Sequence, residues 1–264
     1  MDIKKVMRIR KSCRSYDGNP LNKDVKEELK AYISELKTPF GSRMNVYFLE
    51  TGGEGAQKLG TYGVMRGAKT FLGVTAVDGP DAMADIGYTF EKVILKATEM
   101  GLGTCWIAGT FNRKQFKKAM VIKKNEIFPI ITPIGGPRDK MTRVDKIFRK
   151  TAGSDNRKPY EELFFDGSFD KPLTEKLEEL EMVRIAPSAV NRQPWRVVKA
   201  GDEYHFYKTG KVLADKSLDL DVGIAACHLD MALGGGCLVK EDPDIECPAN
   251  TAYLFTWKKE KAEE

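Results

Sequence analysis

Two stretches of this 264-residue sequence share one order of residues: each begins with Asp-x-Gly and ends in a glycine-rich stretch that finishes with cysteine. Asp85-Ile86-Gly87 opens an amphipathic segment that ends at Gly101-Leu102-Gly103-Thr104-Cys105, and Asp221-Val222-Gly223 opens one that ends at Gly234-Gly235-Gly236-Cys237. A repeated order of this kind indicates internal duplication, which would restrict the chain to two similar halves. The spacings agree loosely and amphipathic helices resemble one another by chance, so coincidence is the alternative.

A shorter similarity and a polar stretch suggest where the halves meet. Tyr16-Asp17-Gly18 recurs as Phe165-Asp166-Gly167, and the sequence between Lys150 and Lys158 turns polar, as linkers do. The length is compatible with one large domain or with two lobes. We therefore predict a first half over residues 1–150 and a second over residues 159–258.

The spacing of apolar residues predicts the elements of the first half. Gly101 follows the longest helical pattern and is placed to end that helix in a left-handed cap. Pro129 and Pro133 restrict the last strand to a sheet edge or to an interrupted run. The predicted helices are a short one capped by Asp2, Asp24–Leu36 and Met83–Met100, and the predicted strands are Asn45–Leu49, Thr70–Val77, Thr104–Gly109 and Phe128–Ile134.

The composition is that of a soluble globular protein and argues against several functional classes. The 43 basic and 38 acidic residues are intermixed, with a net charge of +5, so no basic stripe for nucleic acid is predicted. Five cysteines without short paired spacings and two histidines predict neither a structural metal nor a disulfide scaffold. No membrane helix and no signal segment are expected, which favours a cytoplasmic protein with reduced thiols.

The first candidate binding motif lies near the N-terminus. Arg10, Ser12 and Arg14 alternate, so on an extended strand their side chains would emerge on one face. Two guanidinium groups and a hydroxyl suit a phosphate, because Arg donates charge-assisted hydrogen bonds through a rigid fork. A solvated basic strand is the alternative for this segment taken alone.

The second candidate motif is the stretch from Ile185 to Arg196. Pro187 and Pro194 fix their own φ angles and push the preceding residues toward extended backbone, so this loop should be stiff. Its Asn191 and Gln193 amides could then be held toward a polar ligand. The alternative is a turn whose Trp195 is anchored in the core.

Together these motifs resemble those of the FMN-dependent nitroreductase family. The stretch from Arg10 to Tyr16 is similar to the opening motif of that family, and the stretch from Pro187 to Trp195 is similar to its flavin-contacting loop. The pattern from Asp85 through Gly101 to Gly109 is a third match. The resemblance implies an α+β fold, with an antiparallel sheet flanked by helices, in obligate dimers that bind FMN at the subunit interface.

The resemblance also implies roles for individual residues. Arg10 and Ser12 would hold the phosphate or ribityl chain, and Arg14 would approach the pyrimidine edge of the ring. The backbone N–H groups of Ala108 and Gly109 would approach N5 and O4; family members often have an acidic residue where Ala108 stands. The complete implied set of cofactor-binding residues is Arg10, Lys11, Ser12, Arg14, Ala108, Gly109, Arg143, Pro187, Ser188, Ala189, Asn191 and Gln193.

This sequence departs from the family in the order of its motifs. The family's flavin-contacting loop usually follows the opening motif by about thirty residues, whereas here Pro39-Phe40-Gly41-Ser42-Arg43 occupies that place and the loop lies in the second half. A fused pseudo-dimer explains the shift, because one half then supplies the phosphate motif and the other the loop. Each motif occurs once, which predicts one FMN per chain and a functional monomer.

The implied activity is that of a flavin-dependent oxidoreductase. It would take a hydride from NADH or NADPH onto FMN and reduce a nitroaromatic, a quinone or a related small-molecule acceptor. The flavin would perform the chemistry, so no catalytic side chain is assigned and Cys105 is interpreted as a packed thiol. Two alternatives remain: an FMN-binding or sensing protein with little turnover, and a relative that uses oxygen, a halogenated aromatic or an enone.

Overall fold

The computed structural model describes residues 1–51, 59–138 and 156–260. Helices and strands are interspersed along the chain, and most strands pair in antiparallel fashion. The helices are α1 (Ile3–Ile9), α2 (Lys23–Glu35), α3 (Ala82–Glu99), α4 (Arg113–Ala119), α5 (Tyr160–Leu163), α6 (Glu178–Arg184) and α7 (Ser217–Leu233). The strands are β1 (Met44–Glu50), β2 (Thr70–Val77), β3 (Gly103–Thr104), β4 (Glu126–Gly135), β5 (Phe164–Asp166), β6 (Trp195–Ala200), β7 (Glu203–Thr209), β8 (Cys237–Val239) and β9 (Thr251–Lys258).

The described strands form two sheets, and the fold is α+β, as predicted. The first sheet has the order β1-β2-β4-β3 and is antiparallel throughout. The second has the order β5-β6-β7-β9-β8 and is antiparallel except for β5, which pairs in parallel with β6. Among the described residues, no helix is long and apolar enough to cross a membrane.

Most local predictions agree with the structure, including one of the two alternatives given for the strand with two prolines. Asn22 caps α2 by accepting from the Asp24 N–H at 2.8 Å, and Gly101 follows α3 with a φ of 77°. Of the two predicted alternatives for Phe128–Ile134, the interrupted run is the one observed; the strand is not at an edge, because β4 pairs with β2 on one side and β3 on the other. Its prolines are tolerated where pairing is irregular: the β2 register shifts between Val74 and Ala76, and the β3 ladder is interrupted between the Ile134 and Ile131 pairs.

Helices α3 and α7 pack against each other at two glycines. A Cβ atom at Gly87 would lie 2.9 Å from the carbonyl carbon of Leu220, and one at Gly223 would lie 3.0 Å from that of Ala84; each would lie nearer still to the carbonyl oxygen. The absence of side chains therefore allows the two backbones to touch. The repeated Asp-x-Gly sequence marks this crossing, and one hydrophobic core continues from α1 and α3 through α7 to β9.

Candidate functional site

Arg10 begins the segment predicted to hold a phosphate. It caps the C-terminal end of α1 with extended backbone, at a φ of −58° and a ψ of 127°. Its side chain is partly buried, and its buried Nε atom has no hydrogen-bond partner among the described residues. Buried donors are normally paired, so an unpaired guanidinium nitrogen indicates a group that an acceptor would satisfy. Lys11 and Ser12, next to it, are exposed.

The rest of this segment is extended but does not form the continuous strand that was predicted. Ser12 and Ser15 make isolated parallel bridges to Thr104 and Arg66, and the Cys13 N–H donates to the Thr104 carbonyl at 2.7 Å. The segment is therefore fixed by separate contacts to two neighbouring chain segments. Arg14 lies among these contacts and is partly buried.

The buried side chain of Tyr16 anchors this segment to the neighbouring sheet. It is 1% exposed, and its hydroxyl lies 2.9 Å from the Cys13 carbonyl and 3.2 Å from the Pro133 carbonyl. Burial raises the pKa of this hydroxyl well above its ordinary value, so the group is a neutral donor. The tyrosine thus ties the motif to β4.

The fold brings two further arginines to this motif, and no local sequence pattern selected them. The Arg66 N–H donates to the Arg14 carbonyl at 2.9 Å, and the Arg138 N–H donates to the Ser15 carbonyl at 3.1 Å. Both are exposed, and neither forms an ion pair with any described residue. The glycine after Arg66 is the one sequence feature that could have indicated the contact between Arg66 and Arg14. A Cβ atom at Gly67 would lie 3.1 Å from the Tyr16 carbonyl carbon. Only glycine permits that approach.

Ala108 and Gly109 lie on an exposed turn that follows the isolated bridge between Ile107 and Ile131. The strand predicted in this region is thus confined to β3 and this bridge. Arg113, the first residue of α4, fixes the turn: its guanidinium donates to the Ala108 carbonyl at 3.0 Å and also to the Phe128 carbonyl. The accessible backbone N–H groups of the turn are compatible with the predicted flavin contact. That contact stays a prediction.

The second motif is a strained loop. Val190, Asn191 and Gln193 have positive φ angles of 46°, 56° and 49°. A β-branched residue in this region is a genuine outlier, and such residues cost of order 1–3 kcal/mol each unless the surroundings enforce them. Val190 is also 77% exposed, so packing of its side chain does not explain its conformation. Strain held in an exposed loop motivates a binding role for it.

A network of side chains enforces this conformation. Residues at the end of the predicted linker take part: the Arg157 guanidinium donates to Asn191 Oδ1 at 3.1 Å, and the Lys158 N–H donates to Gln193 Oε1 at 2.9 Å. The Gln193 N–H donates to the Ser188 hydroxyl at 2.9 Å. Gln193 is 2% exposed, so its amide shapes the loop; a direct flavin contact by that side chain stays a prediction.

An aspartate on α7 completes the network. Both carboxylate oxygens of Asp221 accept from the Ala189 N–H, at 3.1 Å and 3.2 Å. The residue is 2% exposed, and burial raises the pKa of its carboxyl to about 7. Pro187, Ser188 and Ala189 are each partly buried between this carboxylate and solvent. In the sequence Asp221 served only as a marker of the repeat, and this contact was missed.

Two groups of predicted residues are therefore assembled locally. Arg10 to Arg14 lie with Thr104, Arg66 and Arg138, and Pro187 to Gln193 lie with residues 156–158 and Asp221. Helices α1 and α6, which precede the two motifs, are joined where Lys4 and Arg8 both contact Glu178, at 2.9 Å and 3.2 Å. Arg143 lies outside the described residues, and its role stays a prediction.

The residues of the first motif fit a phosphate group. Arg10, Arg66 and Arg138 have no acidic partner among the described residues, and the unpaired Arg10 Nε is a donor without an acceptor. A phosphate monoester could satisfy these groups through charge-assisted hydrogen bonds. The described part of the chain contains no cluster of three or more His, Cys, Asp or Glu residues arranged for a metal ion.

A solved structure shares this architecture over nearly the whole chain. A putative nitroreductase from Thermotoga maritima has a similar structure, with a TM-score of 0.61 and 20% identity over 97% of this chain and 93% of that one. A nitroreductase with bound FMN from Desulfitobacterium hafniense aligns at a TM-score of 0.43 and 17% identity, over 53% of this chain and 92% of that one.

The sequence comparisons give the family. A "CR(VI) reductase" of Pseudomonas sp. (strain G-1) is 25% identical over 153 residues, which is 48% of this chain and 63% of that protein. This chain thus spans less than two thirds of the length of the curated relative. The family profile described as "Putative TM nitroreductase" matches residues 2–233. The chain therefore belongs to that nitroreductase family.

Proposed function

We propose that this protein is an FMN-dependent oxidoreductase with one flavin site per chain, built from the Arg10 to Arg14 segment and the strained loop from Pro187 to Gln193. The observation that carries the proposal is the buried Nε of Arg10, which has no partner among the described residues and heads a segment flanked by Arg66 and Arg138. Family membership supports the flavin, and the Pseudomonas relative supports reductase activity.

In this proposal the chain binds and orients the cofactor. Arg10, Ser12 and Arg138 hold the phosphate or ribityl end, and Arg14 with Arg66 lies toward the pyrimidine edge. The N–H groups of Ala108 and Gly109 approach the reacting edge of the ring, on a turn fixed by Arg113. Bound FMN supplies hydride and electron transfer between NADH or NADPH and a nitroaromatic, a quinone or a related acceptor.

The segment that stands in place of the flavin loop in the first half packs against the second half. Phe40, in the counterpart of the flavin loop, has its ring 5.6 Å from that of Phe255. Lys240 directly follows β8, and its Nζ lies 4.8 Å from the Phe40 ring and 2.6 Å from the Asp81 carboxylate. These contacts and the unrepeated arginine motif support one flavin per chain, with halves 1–150 and 159–258 acting as the two subunits.

The experiment that tests the proposed activity is anaerobic reduction. Protein loaded with FMN is mixed with NADPH and, separately, with NADH, and the visible absorbance of the flavin is followed. We expect rapid bleaching with at least one donor, and reoxidation after addition of a quinone or nitroaromatic acceptor. Flavin that stays oxidised with both donors would instead support the alternative, an FMN-binding or sensing protein with little turnover.

Arg10→Ala is expected to weaken FMN binding by about 1.5 to 3 kcal/mol, the range for hydrogen bonds to charged groups. The Kd follows from quenching of flavin fluorescence in a titration of apoprotein. Arg8→Ala is the matched control, because Arg8 lies on the same helix but its guanidinium contacts Glu178 on the surface.

Riboflavin provides a second control for the same residue. It lacks the phosphate, so it should bind the wild-type protein much more weakly than FMN, and Arg10→Ala should change its affinity little. Equal loss of riboflavin and FMN affinity in Arg10→Ala would show that Arg10 is not a phosphate anchor.

A further inference from the structure

The buried carboxylate of Asp221 joins the strained loop to the crossing of α3 and α7. Asp221 lies in the second turn of α7, two residues before Gly223, where α7 touches α3 backbone to backbone. Its oxygens accept the N–H of Ala189, immediately before the left-handed Val190 and Asn191. The carboxylate thus fixes the point at which the loop departs from ordinary backbone geometry.

Other contacts hold different parts of the loop. Asn191 and Gln193 are bound to residues 156–158, which lie outside α7. Without Asp221 the Ala189 N–H would lose this acceptor, and the chain could relax toward less strained angles. The loop's shape therefore depends on anchors at two sites, and Asp221 is the one that links it to the helix crossing.

In the first half, a buried aspartate likewise accepts hydrogen bonds from the backbone of a loop, but that loop lacks the flavin motif. Asp85, two residues before Gly87, is fully buried and accepts from the Phe40 N–H at 2.8 Å and the Ser42 N–H at 3.0 Å. Burial raises the pKa of Asp85, as it does that of Asp221. The two aspartates are thus alike in burial and in structural contact, but only the Asp221 loop belongs to the proposed site.

We propose that Asp221 is a positioning residue for flavin binding: its carboxylate holds the Pro187 to Gln193 loop in the strained shape that receives FMN, whereas Asp85 holds an equivalent loop with no cofactor role. This inference rests on the proposed function. Charged groups near Asp221 are Arg192, from the loop itself, and Asp215, from the segment before α7. Arg192 and Asp215 contact each other, with Nη1 and Oδ2 3.4 Å apart.

The test compares matched variants at the two aspartates. Asp221→Ala and Asp85→Ala each remove an acceptor for backbone N–H groups, and both should lower the Tm. Asp221→Ala should also raise the Kd for FMN about tenfold or more, equivalent to about 1.4 kcal/mol, whereas Asp85→Ala should leave it within about twofold. Asp221→Asn retains an acceptor oxygen and should recover most of the lost affinity.

A second readout needs no cofactor. Amide hydrogen exchange from Ala189 to Gln193 in the apoprotein should be fastest in Asp221→Ala, intermediate in Asp221→Asn and slowest in the wild type. If Asp221→Ala does not fold, the comparison of Asp221→Asn with the wild type still provides the test. Equal FMN affinity in the wild type and Asp221→Ala would overturn the inference. So would an equal loss of FMN affinity in Asp221→Ala and Asp85→Ala. Failure of the wild type itself to bind FMN would instead overturn the proposed function.

Discussion

Replacing Gly87 or Gly223 by alanine is expected to destabilise the protein by about 3 kcal/mol or more, at the upper end of the range for overpacked cores. The added Cβ would meet backbone atoms of the opposite helix: at Gly87 it would lie 3.1 Å from the Ile224 nitrogen as well as against the Leu220 carbonyl. Backbone atoms cannot rotate away as a side chain can. The helices would have to separate, which would loosen the core on both sides.

Thermal unfolding measures this effect. For a chain of this size the Tm should fall by roughly 6 to 12 °C, at about 2 to 4 °C per kcal/mol. Gly79→Ala is the matched control, because no atom lies within 4 Å of its would-be Cβ and its φ is not in the left-handed region. An unchanged Tm in Gly87→Ala would show that the α3 and α7 backbones are not in contact.

Glu91→Ala is expected to cost about 3 to 5 kcal/mol, the range for breaking a buried pair by removing one partner. Glu91 on α3 and His228 on α7 are fully buried, with Oε1 and Nε2 3.0 Å apart. The other Glu91 oxygen accepts from Trp106 Nε1 at 2.8 Å, and His228 Nδ1 donates to the Met182 carbonyl at 2.9 Å. Removing the carboxylate leaves two buried nitrogens without a partner.

A double-mutant cycle tests the coupling between these residues. We expect Glu91→Leu and His228→Leu each to be strongly destabilising, and the double variant to be less destabilised than their sum, because the hydrogen-bonded pair is then replaced as a whole. Urea unfolding gives the three free energies. Glu91→Gln is the milder control, since it keeps an acceptor for Trp106. Strictly additive losses would show that the pair does not couple the two helices.

The local elements could be predicted because their signals are local. Helix α2 is an example: it runs Lys23–Glu35, one residue away at each end from the predicted Asp24–Leu36. Asn22 precedes the helix and caps it through its side chain. Capping, apolar spacing and terminal glycines act over a few residues, so they can be recognised without knowledge of the fold.

The candidate site could be predicted only in part, since part of it depends on contacts between distant segments. Arg66 and Arg138 reach the first motif through backbone hydrogen bonds to Arg14 and Ser15, and no local pattern distinguishes them from other surface arginines. Asp221 was recognisable as half of a repeat, but its contact with Ala189 spans 32 residues. The two prolines of β4 left an edge strand and an interrupted strand equally possible, and only the fold shows that irregular pairing with the neighbouring strands accommodates them.

A titration of apoprotein with FMN shows whether one chain contains one complete flavin site. Flavin fluorescence gives the number of sites, and light scattering on the same sample gives the mass of the species that binds. We predict one FMN per chain in a monomer of 29.6 kDa. Two flavins per chain, or one flavin bound only by a dimer with its site across two chains, would show that the flavin site is not built once within a single chain.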